Sequence, residues 1–321
     1  MDKNKKICVV GSGKWGLNHV RTLEKLDSLG AVVDSNKKVL DSIKKNFPNC
    51  CVYRDLNNKI IRKYDGFIIA TNPSSHFELA KKIIKGGKHL LVEKPLTLSY
   101  ETSKILCDMA EKKQVNLMVG HVLLFHPAIL KMKEIIDSGK IGNIQYLYSN
   151  RLNLGTFRTY ENVFWSFAPH DIALFRYFLN QYPTKINSTG VDILQKDIHD
   201  TSITTFKYNE NKMGHIFVSW LHPFKEHRFV IIGSKGMLHF EDSISGSPLL
   251  MYDSKAQFVN SVPMAREGTI IEIKYDNEKP LTSELKYFIS KLDGSRIDYC
   301  SGYEGLEVVK ILEEASRKIM D

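Results

Sequence analysis

The chain has 321 residues, of which 43% are apolar and 25% charged, and a net charge of +9. This length favours two hydrophobic cores over one, the composition excludes a disordered or fibrous chain, and no window approaches the roughly 20 apolar residues of a spanning helix. The lysines are scattered rather than gathered with aromatics into a basic block. The charge therefore argues for small anionic ligands, against nucleic acid and against a membrane partner.

The opening, MDKNKKICVV, holds too short an apolar run for a signal peptide. Five cysteines, Cys8, Cys50, Cys51, Cys107 and Cys300, form no CxxC pair. They read as reduced, buried small hydrophobes, and a cytoplasmic location is expected.

Along the first 120 residues short apolar runs alternate with helical stretches. The runs are ICVV (7–10), AVV (31–33), CVY (51–53), FIIA (67–70), HLLV (89–92) and LMV (117–119). Several lack period-two alternation, as strands buried on both faces do. This alternation predicts a doubly wound parallel sheet with helices on both sides. After one more helix ending at Gly139, the segments NIQYLYSNRL, SITTFKYN, GHIFVSWL, HRFVIIG and GMLHFED alternate in polarity. They predict an α+β domain with an antiparallel sheet wet on one face. A helix at 168–180 interrupts them, and two helices close the chain. The expected division is a dinucleotide-type domain over 1–120 and a second domain over 121–321.

Residues 11–16 read GSGKWG, a G-x-G-x-x-G between the strand ICVV and a helix, with Asp34 ending the next strand. Gly11 permits the tight turn, Gly13 lets a pyrophosphate approach the backbone, and Gly16 lets the helix pack close to the strand. Lys14 and Trp15 share the loop. The helix N-terminus offers free N–H groups and positive potential to phosphates. Asp34 suits ribose hydroxyls and repels a 2′-phosphate, which favours NAD over NADP; Lys37 and Lys38 are the nearest opposing charges. A glycine turn with a capping aspartate is the plainer alternative.

Ligands in open parallel sheets sit beyond the carboxyl ends of the strands. After FIIA come Thr71, Asn72, Pro73 and His76; after HLLV come Glu93, Lys94 and Pro95. These loops are expected to line the nicotinamide half of the crevice. A lysine there can hold a substrate hydroxyl and lower its pKa; otherwise it snorkels to solvent. In the second domain, FWSFAPHDIALF places Pro169 in the first turn of a helix, followed by His170, a natural proton acceptor near neutral pH. A capped or packed histidine is the competing reading.

Together these motifs resemble the Gfo/Idh/MocA oxidoreductases, and the resemblance extends to Trp220, Pro223, Arg228 and Gly233-Ser234-Lys235-Gly236. It implies a Rossmann domain followed by an open, mainly antiparallel sheet domain that serves both substrate and subunit contacts, hence a homo-oligomer, dimer or tetramer. It implies a cis peptide before Pro95, Lys94 as the lysine of EKP, and His170 as acid/base. Many members carry an aspartate four residues before that histidine; here Ser166 stands there. Arg151, Asn153, Gly155, Asn162, Trp165, Pro169, His170, Asp171 and Ile172 resemble the branch that oxidises nucleotide sugars at C3 of UDP-N-acetylglucosamine or its uronate. In such pathways the keto sugar passes to a pyridoxal-phosphate aminotransferase.

On this reading Lys94 and His170 are catalytic. Trp165 packs on nicotinamide or sugar, or merely in the core. Arg151 and Arg158 are candidate diphosphate ligands, because arginine binds phosphate as a fork, or simple surface charges. Asn153 is a further substrate contact. The rival readings are a dehydrogenase of free sugars, inositols or dihydrodiols, and a non-catalytic NAD sensor. A metal enzyme built on His222, Glu226 and His227 is disfavoured, since HPFKEH is neither HExxH nor HxxEH, and no metal is expected.

Overall fold

Six of the apolar runs form one parallel sheet in the computed structural model, which describes residues 5–320 apart from 156 and 245. The strands are β1 (Ile7–Val10), β2 (Leu29–Val33), β3 (Cys51–Tyr53), β4 (Gly66–Ile69), β5 (His89–Glu93) and β6 (Leu117–Gly120), in the order β3-β2-β1-β4-β5-β6. Every neighbouring pair is parallel. β1, β4 and β6 are buried at every residue, which explains their unbroken apolar sequence. The connecting helices are α1 (Gly16–Lys25), α2 (Lys37–Asn46), α3 (Asn58–Lys63), α4 (His76–Lys85) and α5 (Tyr100–Lys112). Asn36, Asn57 and Ser99 cap α2, α3 and α5 by accepting backbone N–H groups. The strand order reverses between β1 and β4, so the loops after these two strands flank the switch point where such sheets bind ligands.

A second sheet follows α6 (Pro127–Asp137). Its strands are β7 (Ile144–Leu154), β8 (Lys185–Val191), β9 (Thr201–Lys207), β10 (Met213–Ser219), β11 (Leu221–Gly233), β12 (Met237–Glu241), β13 (Leu249–Tyr252) and β16 (Ile270–Ile273). They run in the order β16-β13-β12-β11-β7-β10-β9-β8. All pairs are antiparallel except β7 with β10. β14 (Lys255–Val259) and β15 (Val262–Arg266) form a separate hairpin, turned by Asn260 and Ser261 at positive φ. β8, β13, β14, β15 and β16 lie outside the predicted strands. KINSTGV carries too many small polar residues to read as a strand, and the others are four or five residues long.

α7 (Val163–Leu179) packs on β7, β9 and β10, with Phe175 on Phe206 and Phe178 on Phe229. It begins five residues before the expected start at 168. Asn162 caps it by accepting the Trp165 N–H at 3.0 Å, so Pro169 lies inside the helix rather than in its first turn. Proline has no N–H, which removes the intrahelical donor of the Trp165 carbonyl just upstream of His170.

α8 (Pro280–Ser290) packs on α1 and on the 3-10 turn Val122–Phe125. Asn116 donates to the Lys291 and Ser295 carbonyls, at 2.9 and 2.8 Å. Contacts therefore divide the chain into one unit of residues up to Phe125 with Lys279–Lys310, and another of His126–Glu278 with residues from Ile311. The last helix, α9 (Gly302–Met320), contributes to both. The linear division at 120 places 279–310 in the second domain. The structure returns that segment to the first, because its apolar residues complete the core beside β6 and α1. No described helix is long and apolar enough to cross a membrane. All five cysteines are free, four of them buried and Cys51 exposed.

One buried polar node fixes the far edge of the second unit. Asp200, fully buried, accepts the N–H groups of Ile193 and Leu194 at 2.7 and 2.8 Å and the indole N–H of the buried Trp220. Asp200→Ala strands the buried Trp220 indole N–H and removes the acceptor of the Ile193 and Leu194 N–H groups, whose residues are exposed. The expected loss of stability is about 1–3 kcal/mol, measured by denaturant unfolding, with Asp200→Asn losing less.

Candidate active site

The geometry of the glycine loop fits a phosphate cradle. Gly11 has φ +87°, and a Cβ there would lie 2.6 Å from the Thr71 methyl. A Cβ on Gly16 would lie 2.1 Å from the Gly11 carbonyl oxygen, so only glycine lets α1 approach β1 this closely. At Gly13 a Cβ would meet nothing within 4 Å, which leaves that stretch of backbone open to a ligand. α1 starts with no side-chain cap and no acid in its first turn, so its N-terminal potential is not neutralised from within the helix. Lys14 is exposed on the loop. Asp34 ends β2 and accepts the Ser12 N–H at 2.8 Å and the Asn36 N–H at 2.9 Å. A carboxylate has about four acceptor positions, so capacity remains for ribose hydroxyls. The residues present thus fit a dinucleotide.

Glu93 explains why a buried strand ends in a carboxylate. It is buried, and its Oε1 accepts the Trp15 indole N–H at 2.5 Å and faces His19 Nε2 at 2.6 Å. The backbone N–H of Lys94 reaches Oε2 at 3.3 Å. Burial pushes the carboxyl pKa up, but hydrogen bonds and charge from His19, then Trp15 and Lys94, outweigh it and hold the pKa below the usual range. Glu93 therefore binds the end of β5 to the glycine loop and to α1. Gly120 is its neighbour on β6, where a Cβ would press within 3.0 Å of the carboxyl carbon. The sequence reading missed both His19 and Gly120. The four-residue spacing of Trp15 and His19 on one helix face was the available signal for the first.

The peptide before Pro95 is cis. Lys94 follows Glu93 directly and is half-buried. Thr71 bonds Ser75 at 2.7 Å, Asn72 caps the 3-10 turn Pro73–Ser75, and these residues edge the loop after β4. His76 requires a correction. Its side chain is fully buried, with Nδ1 3.0 Å from the Pro95 carbonyl and Nε2 3.2 Å from the Thr71 carbonyl. Burial is the main cause lowering its pKa, and a neutral imidazole carries one N–H, so the ring donates to one of these two carbonyls and is packed between the two loops rather than open to a cofactor.

In the second unit His170 lies one turn after Ser166 on α7. Its neighbour Asp171, fully buried, holds Arg151 by two bonds of 3.0 Å, Nε to Oδ2 and Nη2 to Oδ1, and accepts Ser149 Oγ at 2.7 Å. This overturns Arg151 as an open fork for a diphosphate, because the fork is closed on Asp171. Arg158 is more exposed and only 3.7 Å from Glu161. Asn153 keeps its side-chain oxygen buried without a hydrogen-bond partner among the described residues. Trp165 donates its indole N–H to Ser316 on α9 at 2.8 Å. Glu226 accepts from Asn150 at 2.8 Å, and strand alternation turns His227 to the opposite face.

Three outcomes follow. Arg151→Ala leaves Asp171 buried and unpaired, so thermal and denaturant unfolding are expected to show a loss of about 3–5 kcal/mol. Asp34→Ala is expected to weaken NAD and raise relative affinity for NADP, measured by calorimetry; the repulsion removed is at most about 4 kcal/mol for charges 4 Å apart at a dielectric of 20. Glu93 has a lowered folded pKa, so its contribution to stability is present above its unfolded value of about 4.3 and is lost as pH falls through the folded one. Glu93→Gln is expected to flatten that acid limb in unfolding curves taken across pH.

Comparison with known proteins agrees with this architecture. Residues 5–121 match the oxidoreductase family model with an NAD-binding Rossmann fold, and residues 129–239 match the GFO/IDH/MocA C-terminal domain. The chain is 24% identical to the UDP-N-acetylglucosamine 3-dehydrogenase of Acidithiobacillus ferrooxidans, over 94% of this chain and 93% of that one. It is also 24% identical to the myo-inositol 2-dehydrogenase of Thermotoga maritima, over 98% and 96%. The solved structure of the A. ferrooxidans enzyme superimposes with a TM-score of 0.86 at 22% identity, covering 98% of this chain and 97% of that one. Scyllo-inositol dehydrogenase from Lactobacillus casei, with NAD(H) and scyllo-inositol bound, superimposes at 0.80 and 19% identity, covering 99% and 97%. With both halves matched and the glycine loop, Asp34 and the Glu93-Lys94-Pro95 turn in place, the chain belongs to the Gfo/Idh/MocA family of NAD-dependent oxidoreductases.

Proposed function

We propose that the protein oxidises a secondary hydroxyl of a sugar to a ketone, and that the sugar is UDP-linked and N-acetylated, with UDP-N-acetylglucosamine as the type and C3 as the carbon. The observation that supports the dehydrogenase reading is the Glu93-Lys94-Pro95 turn at the end of β5, where Glu93 grips the glycine loop and accepts the Lys94 backbone N–H. The sugar-nucleotide reading is supported by similarity to the A. ferrooxidans enzyme along nearly the whole of both chains.

In this mechanism bound NAD supplies the hydride acceptor. Lys94 steadies the negative charge that develops on the substrate oxygen, as a pre-placed cation in a desolvated site does. His170 takes the hydroxyl proton, an assistance worth roughly 10²- to 10⁴-fold. Arg158 remains the candidate for the diphosphate, since Arg151 is committed to Asp171. The unpartnered oxygen of Asn153 supports a role in holding a sugar N–H or O–H. The protein acts as a homo-oligomer in the cytoplasm, and the keto sugar is of the kind a pyridoxal-phosphate aminotransferase consumes.

A second reading, an inositol dehydrogenase, is favoured by the equal identity to the T. maritima enzyme and by the closure of Arg151. Incubation with NAD and UDP-N-acetylglucosamine, free N-acetylglucosamine or myo-inositol, followed by absorbance of reduced nicotinamide, separates the two. The expected result is a kcat/KM at least about 10²-fold higher for the UDP-sugar; preference for inositol overturns it. Lys94→Ala is expected to lower kcat by about 10²-fold or more while NAD affinity, from calorimetry, stays within about threefold.

A further inference from the structure

A second carboxyl group lies in the first unit, and no step of the reaction uses it. Glu284, on α8, is fully buried, and neither of its oxygens has a hydrogen-bond partner among the described residues. It comes from the returning segment 279–310, which sequence order alone places far from β5. α8 packs on α1, which carries His19, and on the turn at Val122–Phe125, which follows the β6 partner of Glu93, so Glu284 sits on a helix laid against both elements that flank Glu93. The charge of Glu93 at the end of β5 bears on Glu284, and that of Glu284 on the Cys300 thiol just before α9. Around Glu93 stand His19 from α1, Lys94, and His121 after β6.

The two carboxyls differ in their donors. Glu93 has the Trp15 indole, His19 and the Lys94 N–H. Glu284 has none. Burial, and then the charge of Glu93, holds the Glu284 carboxyl well above the ordinary range. An ionised carboxylate without donors in a dry site beside another carboxylate is strongly disfavoured, so the group with donors keeps the charge.

We propose that Glu93 and Glu284 form a buried carboxyl pair carrying a single negative charge, with Glu284 as the neutral acid, and that this neutral state of Glu284 is what lets Glu93 keep the glycine loop in position. A second charge would repel Glu93 and draw in water. The bonds from Glu93 to Trp15 and His19 would then loosen, and with them the loop that holds the dinucleotide phosphates. The positioning role rests on reading that loop as the NAD site; the charge count does not.

The test uses the full-length protein. Carbon-13 NMR of wild-type protein labelled at the glutamate carboxyls is expected to show one protonated carboxyl at neutral pH, absent in Glu284→Gln. A group with a raised folded pKa stabilises while protonated, and that stability is lost as pH rises from the unfolded value towards the folded one. The folding equilibrium of the wild type is therefore expected to fall relative to Glu284→Gln by up to about tenfold per pH unit above about pH 4.3. Glu284→Leu, also neutral, is expected to show the same difference. NAD affinity, from calorimetry, is expected to lie within about twofold of wild type in Glu284→Gln at pH 7, and to weaken less than the wild type at alkaline pH. A wild-type spectrum without a protonated carboxyl at neutral pH, or a stability difference independent of pH, overturns the charge count. Parallel NAD affinity curves, or a tenfold loss in Glu284→Gln at pH 7, overturn the positioning role. Failure of the wild type to bind NAD overturns the reading of the loop and leaves the charge count standing.

Discussion

A buried carboxylate at the end of one strand organises the first unit's ligand edge. Glu93 is removed from water by its position on β5, and an ion so placed must find donors within the protein. It finds them on the glycine loop, at Trp15, and on the first helix, at His19. These bonds fix the start of α1 relative to the carboxyl end of β5, beside the loop proposed to hold the dinucleotide. The glycines at 11, 16 and 120 are the steric counterpart of this constraint, each standing where a Cβ would meet backbone, a methyl group or the carboxylate itself.

The second unit solves a related problem differently. Its sheet is covered by α7, and its buried polar groups are paired internally: Asp171 with Arg151 and Ser149, and Asp200 with Trp220. Paired in this way, residues that look like ligands in the sequence become structure. Arg151 is the instance. Its forked geometry suits a diphosphate and a carboxylate equally, and burial next to Asp171 decides between them. His76 follows the same logic in the first unit, its ring buried between two loop carbonyls, to one of which it donates.

The Gfo/Idh/MocA assignment and the NAD cofactor rest on local motifs whose physics is self-contained. A glycine loop between a strand and a helix, with an acid at the end of the next strand, needs few other contacts to be recognised. The choice of sugar is different. It depends on side chains from several elements, such as Asn153, Arg158 and His170, whose roles follow from their neighbours rather than from their spacing.

The sequence alone determined the parallel sheet, its six strands, the glycine loop with Asp34, and the mixed second domain, because buried strands, turns and helix starts write their constraints into adjacent residues. It also carried EKP as a motif, though not the reason for its glutamate. Tertiary structure decided the rest: the start of α7 before Pro169, the weak strands β8 and β13–β16, the ion pair that closes Arg151, and the return of residues 279–310 to the first unit, which buries Glu284 there. The last two join residues from 20 to 192 positions apart. Burial and charge compensation set them, and neither can be read until the chain has folded and chosen which side chains share a dry interior.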